Sequence, residues 1–286
     1  MDVIRTVEAY REIVDDAHSQ VHPVGLVPTM GAFHDGHRSI MRRAVEERDT
    51  VIVSVFVNPL QFGEGEDYDR YPRGEEDDIA VAEAQGVEVM FLPTVEEMYP
   101  EYPPMITVDP GSLGDRFEGA ARPGHFRGVL TVVARLLDLS GTCRVYFGEK
   151  DAQQLFLVRK MAAEIAPRVE VVGCPTIREA DGLAMSSRNV YLEPEERAAA
   201  ACLHRGLQDA QHLLKDGETD AAPLAAAIRA AVEAEPLADL DYAVLVDDMT
   251  FEELGSVDLR GSPARALVAA RIGATRLIDN LLLANS

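Results

Sequence analysis

TVIVSVFV, residues 50–57, decides the fold of this chain. Its residues are mostly β-branched, and only Ser54 interrupts the apolar run. A strand with one face in water alternates apolar and polar residues, and this stretch lacks that alternation. Such runs are typical of parallel sheets that helices cover on both faces. The stretch therefore predicts an α/β protein.

The segments around this strand alternate between helical and strand patterns. On its N-terminal side the spacing predicts helices over 6–19 and 36–48, separated by the short buried strand PVGLV at 23–27. On its C-terminal side the predicted strands are 88–92, 144–147 and 169–173, and the predicted helices are 75–84, 124–139 and 152–165. Five parallel strands with helices between them make a doubly wound, Rossmann-like sheet.

Beyond about residue 175 the pattern changes. Two alanine-rich helices are predicted over 194–215 and 220–234. The strands that follow them are predicted at 241–246, 264–272 and 275–283. Helices followed by strands, without alternation, are typical of a separate α+β domain. We expect a Rossmann-like domain at 1–175 and a smaller α+β domain at 176–286.

Charge and composition argue against several classes of protein. With 27 Lys and Arg against 49 Asp and Glu, the net charge of −22 disfavours a nucleic-acid surface, which needs a basic patch. The start, MDVIRTVEAY, has no signal pattern, and the apolar stretches are too short to span a membrane. Cys143, Cys174 and Cys202 suit buried thiols better than a disulfide framework or metal clip. These features favour a cytoplasmic location.

The segment VPTMGAFHDGH, residues 27–37, contains the first candidate site. Ligands of a doubly wound sheet bind beyond the carboxyl ends of its strands, and this turn follows one of them. There, His34 and His37 can place two imidazole donors on one phosphate, and Gly36 leaves the phosphate room near a helix start. No GxGxxG or P-loop occurs. The alternatives are incidental loop histidines, or a metal site without a carboxylate or cysteine set to complete it.

A second candidate site is FGEKDAQQL, residues 147–155, which also follows a predicted strand. Lys150 supplies a point charge suited to β- and γ-phosphates, and Asp151 can accept ribose hydroxyls. Gln154 lies one helical turn further on. The alternative is a helix cap at Asp151 beside a solvated lysine.

Two more polar segments complete the set. In NPLQF, residues 58–62, the amides of Asn58 and Gln61 suit a hydroxyl or carboxylate substrate, although NP is also a common turn. In LAMSSRN, residues 183–189, two hydroxyls before Arg188 form either a mobile anion clamp or a capped turn. Three of the four segments follow predicted strand ends, so we expect all four to converge on one crevice.

Together with YPR (71–73), RPGHFRGV (122–129) and READGLAMSSRN (178–189), these segments resemble the pantoate–β-alanine ligase family, also called pantothenate synthetases. HxGH alone marks a wider superfamily of nucleotidyltransferases and class I aminoacyl-tRNA synthetases, whereas the other motifs are specific. The resemblance covers nearly the whole chain and is weakest over 198–259. It implies an AMP-forming ligase.

In the implied reaction, ATP and pantoate form pantoyl adenylate and pyrophosphate with Mg²⁺, and β-alanine then attacks the adenylate to give pantothenate and AMP. The resemblance makes 1–175 the catalytic domain that binds ATP and pantoate, and 176–286 the lid. The implied partners are the small-molecule substrates ATP, pantoate and β-alanine and a second copy of the chain in a homodimer, with no nucleic acid and no membrane.

The resemblance also implies site residues. His34, His37 and Lys150 are the implied catalytic residues, with His37 as the proton donor. Gln61 and Gln154 hold pantoate, and Gln61 also borders β-alanine. The implied ATP-binding residues are Met30, Gly31, Ala32, Phe33, His34, Asp35, Gly36, His37, Gly148, Glu149, Lys150, Asp151, Ile177, Met185, Ser186, Ser187 and Arg188. Less specific assignments near the substrate are Thr29, Asn58, Tyr71, Arg122 and His125.

Two features complete this interpretation. Asp77 and Asp78 are candidates to assist Mg²⁺, with an acidic helix start as the equal alternative. Position 152 is Ala, where the family frequently has an aromatic residue; the loss of the ring would loosen packing beside the loop without removing a functional group.

Overall fold

The computed structural model describes residues 1–283; residues 284–286, the end of the predicted second domain, lie outside the described residues. The strands are β1 (Asp2–Ile4), β2 (Val24–Thr29), β3 (Thr50–Val55), β4 (Val89–Phe91), β5 (Cys143–Gly148), β6 (Glu170–Cys174), β7 (Ala238–Asp247), β8 (Ala264–Ile272) and β9 (Thr275–Leu283). The helices are α1 (Val7–Ser19), α2 (Asp35–Glu47), α3 (Glu75–Ala84), α4 (Val95–Met98), α5 (Glu118–Ala121), α6 (His125–Ser140), α7 (Ala152–Ile165), α8 (Pro194–Ala199), α9 (Cys202–Lys215) and α10 (Ala221–Glu233).

The described chain forms two compact units. The first unit comprises Met1–Glu149 and Gln153–Pro175, and the second comprises Lys150–Ala152 and the described residues from Thr176 onward. The loop that carries Lys150 therefore groups with the second unit, although its neighbours in the chain on both sides belong to the first.

The first unit contains a six-stranded parallel sheet in the order β1-β4-β3-β2-β5-β6. This confirms the Rossmann-like fold class, with one strand more than the five predicted. The additional strand, β1, has only three residues and pairs with β4 at the edge of the sheet. A run of three residues is too short to show a strand period, so the sequence pattern could not reveal it.

Helices cover both faces of this sheet. On one face, Met41 and Ala44 of α2 and Ala82 of α3 pack on strand residues such as Val53. On the other face, the ring of Tyr10 in α1 lies 4.8 Å from that of Phe91. The all-buried pattern of the first five residues of β3 follows from this double cover. All three cysteines are buried, as predicted.

The second unit contains a three-stranded antiparallel sheet in the order β7-β8-β9. Residues of α9 and α10, among them Leu207 and Ile228, share a buried apolar core with Ala266 and Val268 of β8. The predicted α+β character is confirmed.

Two expectations need correction. The predicted helix over 194–215 is two helices, α8 and α9, interrupted at Ala200 and Ala201. Alanine has the highest helix propensity, so the sequence carries no signal for a break there. The sequence pattern also predicts neither of the short helices α4 and α5. Among the described residues, no helix combines the length and apolar character needed to cross a membrane.

Candidate active site

The turn after β2 has an unusual backbone. Gly31 and the non-glycine Ala32 both have positive φ, 84° and 55°. A Cβ on Gly31 would lie 2.7 Å from Asp78 Oδ2, so the position has no room for a side chain. Thr29 begins the turn, where its hydroxyl donates to Ser54 O and accepts from Gly31 N–H.

Asp78 of α3 holds this turn in place. Its Oδ2 accepts from Ala32 N–H at 2.9 Å and its Oδ1 accepts from Phe33 N–H at 2.8 Å. The side chain is buried, and burial raises the pKa of the Asp78 carboxyl despite these two hydrogen bonds. Both oxygens accept hydrogen bonds from the turn backbone, so the structure favours a structural role for Asp78 over the predicted role at Mg²⁺.

His34 and His37 form a reciprocal cap at the start of α2. Gly36 N–H donates to His34 Nδ1 at 3.1 Å, and His34 N–H donates to His37 Nδ1 at 3.3 Å. The two ring centroids are 4.1 Å apart. The cap satisfies backbone donors that the first turn of a helix leaves without intrahelical partners.

The cap also fixes the chemistry of the two rings. A nitrogen that accepts a backbone N–H has no hydrogen of its own, so each neutral ring carries its hydrogen on Nε2. His34 and His37 are thereby set as a pair of Nε2 donors beside the positive end of α2. This arrangement suits an anion such as a phosphate, as the sequence predicts.

Gln61 lies against the same turn. Its Nε2 is 3.1 Å from Met30 Sδ, and its Oε1 accepts from Asn58 Nδ2. Asn58 is buried, also donates to Gly128 O, and accepts from Leu60 N–H and the Tyr99 hydroxyl. The amide of Asn58 is therefore occupied by protein groups. The structure corrects the expectation that both amides face the crevice: Asn58 orients Gln61.

Helix α6 packs directly on the Gln61 segment. A Cβ on Gly128 would lie 2.2 Å from Leu60 O, so only glycine permits this contact. His125, the first residue of α6, holds Gln61 O through Nδ1 at 2.9 Å. Its Nε2 lies 3.0 Å from Arg122 NH1. A carbonyl only accepts and a guanidinium only donates, which places the ring hydrogen on Nδ1.

Arg122 is paired with Glu66, a residue that the sequence did not single out. Arg122 Nε and NH2 contact the two Glu66 oxygens at 2.8 and 2.7 Å. Burial alone would raise the pKa of the Glu66 carboxyl, but the Arg122 hydrogen bonds and charge bring that pKa below its usual range. Arg122 and His125 thus support the Gln61 backbone.

The end of β5 lies beside α2. A Cβ on Gly148 would lie 3.6 Å from Ile40 Cδ1, and Glu149 N–H donates to Cys174 O. Gln154 is half-buried in the first turn of α7. Its neighbour Gln153 is buried and bonds Glu118 N–H, Leu113 O and Arg116 O, so Gln153 anchors the segment before α6.

The second unit carries the remaining predicted residues on two segments. Lys150 Nζ lies 3.6 Å from Asp151 Oδ1. Ile177 and Met185 meet across a hairpin, where Met185 N–H donates to Ile177 O. Ser186 Oγ accepts from Arg188 N–H and caps the short 3-10 helix Ser187–Tyr191. The capped-turn interpretation of this segment therefore holds for Ser186.

The structure thus gathers Thr29, the turn 30–37, Gln61 and Gly148 in the first unit. Asp35 is exposed at the start of α2, and Tyr71 is buried with its ring edge-on to Phe62. Asp77 is exposed. Within residues 1–283 no group of three or more His, Cys, Asp or Glu could hold a metal ion.

A family model, described as Pantoate-beta-alanine ligase, matches residues 2–282. The chain belongs to the pantoate–β-alanine ligase family. This confirms the family that the motifs indicated. A pantothenate synthetase of Rubrobacter xylanophilus is 50% identical over 287 residues, covering 98% of both chains. One of Roseiflexus castenholzii is 50% identical over 285 residues, covering 99% of both.

Solved structures of the family have the same fold. Pantothenate synthetase from Thermus thermophilus superposes with a TM-score of 0.92 at 46% identity, covering 99% of this chain and 100% of that one. A pantoate-beta-alanine ligase from Francisella tularensis, complexed with beta-gamma ATP and beta-alanine, gives a TM-score of 0.80 at 32% identity, with 99% and 97% covered.

Sequence reasoning missed several residues that position this site. Gly128 carried a signal: glycine inside a helix costs about 1 kcal/mol relative to alanine, which indicates a close approach. Asp78 carried none, because it lies in the acidic run EEDD, where each residue also suits a helix start. Glu66 lies in a loop without periodicity.

Proposed function

We propose that this chain condenses pantoate with β-alanine to give pantothenate in two steps. The pantoate carboxylate attacks the α-phosphorus of ATP, and the bond to pyrophosphate breaks. The amine of β-alanine then attacks the acyl carbon of pantoyl adenylate, and AMP leaves. The observation that carries this proposal is the reciprocal cap, which leaves the ring hydrogens of His34 and His37 on Nε2, in a chain of this family.

Activation is needed because a carboxylate is a poor electrophile, whereas an acyl phosphate has a good leaving group. The protein's task is mainly to position the reactants and stabilise developing charge. His34 and His37 stabilise the charge on the phosphates. Gln61, held by Asn58 and Met30, orients pantoate together with Gln154.

We propose different roles for the two units. The first unit is the catalytic unit that binds ATP and pantoate. The second acts as a lid that brings Lys150 and Arg188 to the nucleotide; the family resemblance of the FGEKD and MSSRN segments supports this. Its use of ATP supports a cytoplasmic location for the reaction.

Magnesium fits this proposal as an ion that enters with ATP. Mg²⁺ is commonly held by one or two carboxylates plus substrate phosphates, without a protein cage. Asp78 is occupied by the turn backbone, which leaves the exposed carboxylate of Asp77 as the candidate ligand. When bound, the ion would neutralise phosphate charge.

The test is exchange of labelled pyrophosphate into ATP. Exchange should require pantoate, and free AMP should appear only when β-alanine is added. Exchange without pantoate would instead indicate a plain nucleotidyltransferase of the same superfamily. ATP binding without exchange or turnover would indicate a non-catalytic nucleotide-binding protein.

We also propose that the chain is a homodimer through its first unit. Tyr102, Met105 and Ile106 expose 51%, 80% and 81% of their surfaces on one extended segment. A contiguous exposed apolar segment is typical of a protein interface. Ile106→Asp should give monomers in sedimentation equilibrium. Val21→Asp is the matched control, because Val21 is 85% exposed elsewhere in the same unit. Dissociation by both variants, or by neither, would contradict this interface.

A further inference from the structure

Strand β9 contains two polar residues that the proposed function does not use. Asp279 and Asn280 are both 4% exposed, in the otherwise mostly apolar run TRLIDNLLL. Burying a carboxylate and an amide is unfavourable unless both are hydrogen-bonded. Neighbouring residues of a strand point to opposite faces, so each needs its own partners.

The amide of Asn280 holds the backbone of the Lys150 loop. Asn280 Nδ2 donates to Lys150 O at 2.8 Å, and Asn280 Oδ1 accepts from Arg265 NH1 at 2.6 Å. Because a guanidinium only donates, Arg265 fixes which end of the amide faces Lys150. Arg265 is itself paired with Asp248 at 2.5 Å.

Asp279 holds the other candidate anion-binding segment of the second unit. Its oxygens accept from Arg178 NH1 and NH2 at 2.6 and 3.0 Å. Arg178 also donates to Gly182 O, across the hairpin that brings Met185 beside Ile177. A bidentate pair of this kind fixes both the position and the orientation of Arg178.

We propose that Asp279 and Asn280 are positioning residues for the nucleotide. Asn280 acts through Lys150, and Asp279 acts through Arg178 and the hairpin. Two adjacent residues of one strand thereby hold two segments that are distant in sequence, and Lys150 is anchored to the second unit. The inference rests on the proposed role of Lys150 with ATP.

The test variant for the first arm is Asn280→Asp. Aspartate still accepts from Arg265, but it loses the Nδ2 donor and sets an oxygen against Lys150 O. We expect kcat/KM for ATP to fall about tenfold to hundredfold, since small displacements of a binding group are costly. KM for pantoate should not change. The control is Asp241→Asn, which removes the charge of the Asp241–Arg276 pair in the same sheet; neither residue of this pair bonds Lys150 O.

A double-mutant cycle separates positioning from general destabilisation. In a Lys150→Ala background, Asn280→Asp should change kcat/KM for ATP by less than about twofold. The full tenfold loss in both backgrounds would overturn the inference. If Lys150→Ala alone left kcat/KM for ATP unchanged, the proposed role of Lys150 with ATP would be contradicted, and the role of Asn280 with it. Kinetics are compared below the melting temperature of each variant.

The second arm is tested with Asp279→Asn, which keeps one acceptor for Arg178. Because it acts through the hairpin, it should raise KM for ATP by a similar factor in the wild-type and Lys150→Ala backgrounds. Disappearance of its effect in the Lys150→Ala background would overturn the separate assignment of the two residues.

Discussion

The two candidate anion-binding regions of this chain are held in different ways. In the first unit, the start of α2 after β2 is capped by its own residues, through the reciprocal cap of His34 and His37. In the second unit, Lys150 and the Ile177–Met185 hairpin are held by β9, about a hundred residues or more away in sequence. The residues that hold a site can therefore lie in one short sequence motif or be distributed over a whole sheet.

The largest expected effect comes from substituting a histidine of the pair at the start of α2. His37→Ala removes a donor that stabilises charge in the transition state, and we expect kcat to fall ~10²–10³-fold. Stability should drop by only ~1 kcal/mol, the usual contribution of a cap. Turnover and thermal melting measure the two effects.

His34→Asn sharpens this test, because asparagine keeps a capping acceptor while the Nε2 donor is lost. It should lower kcat by a similar factor with almost no change in melting temperature. His22→Ala, at an exposed position, is the control. A loss of turnover that only tracked a loss of stability would contradict the role of the pair.

The next effect comes from Asp78, which anchors the turn from a distant part of the sequence. In Asp78→Asn, one carboxylate oxygen is replaced by an amide nitrogen, which cannot accept a hydrogen bond from the backbone N–H that it faces. Because the turn loses this hydrogen bond, we expect kcat/KM for ATP to fall about tenfold. Steady-state kinetics at several Mg²⁺ concentrations measure it. An increased Mg²⁺ requirement would instead support the metal-ligand interpretation of Asp78.

The stability of the same variant has a predictable sign. The raised pKa of Asp78 means that its protonated form is favoured by folding. Its contribution to stability is present below the ordinary carboxyl pKa and is lost as the pH rises through the raised value. Asp78→Asn should therefore cost less stability at neutral pH than at acid pH. Melting temperatures of wild type and variant across about pH 4–7 test this.

An effect of similar size, but on the other substrate, is expected at Gln61, which is held both locally and from a distance. Gln61→Ala should raise KM for pantoate about tenfold, the cost of roughly one hydrogen bond, and leave KM for ATP nearly unchanged. Tyr99→Phe removes only the distant hydrogen bond to Asn58 and should raise KM for pantoate about twofold. Equal effects on both substrates would contradict the pantoate assignment.

The same contrast explains what the sequence could predict. The run 50–57 and the later alternation predict the Rossmann-like unit, and HDGH predicts the His pair, because a period and a motif are local. The partners of Asp78 lie on another element, as do Gly128 and Tyr99, two of the partners of Asn58, and no local pattern encodes them. Asp279 and Asn280 are polar residues within a mostly apolar strand, and this pattern indicates a buried hydrogen-bond network. The sequence does not show that this network contacts Lys150; only the folded structure does.

The smallest expected effect concerns the net charge of −22, which opposes anionic substrates, whereas the proposed contacts with His34, His37 and Lys150 would attract them locally. Screening over ~8 Å at physiological salt weakens long-range repulsion more than contacts inside a site. We therefore expect kcat/KM for ATP to stay level or rise slightly as monovalent salt increases from low to moderate concentration. A steep, monotonic fall would show instead that long-range attraction steers ATP, and that the few local cations outweigh the acidic surface well beyond contact distance.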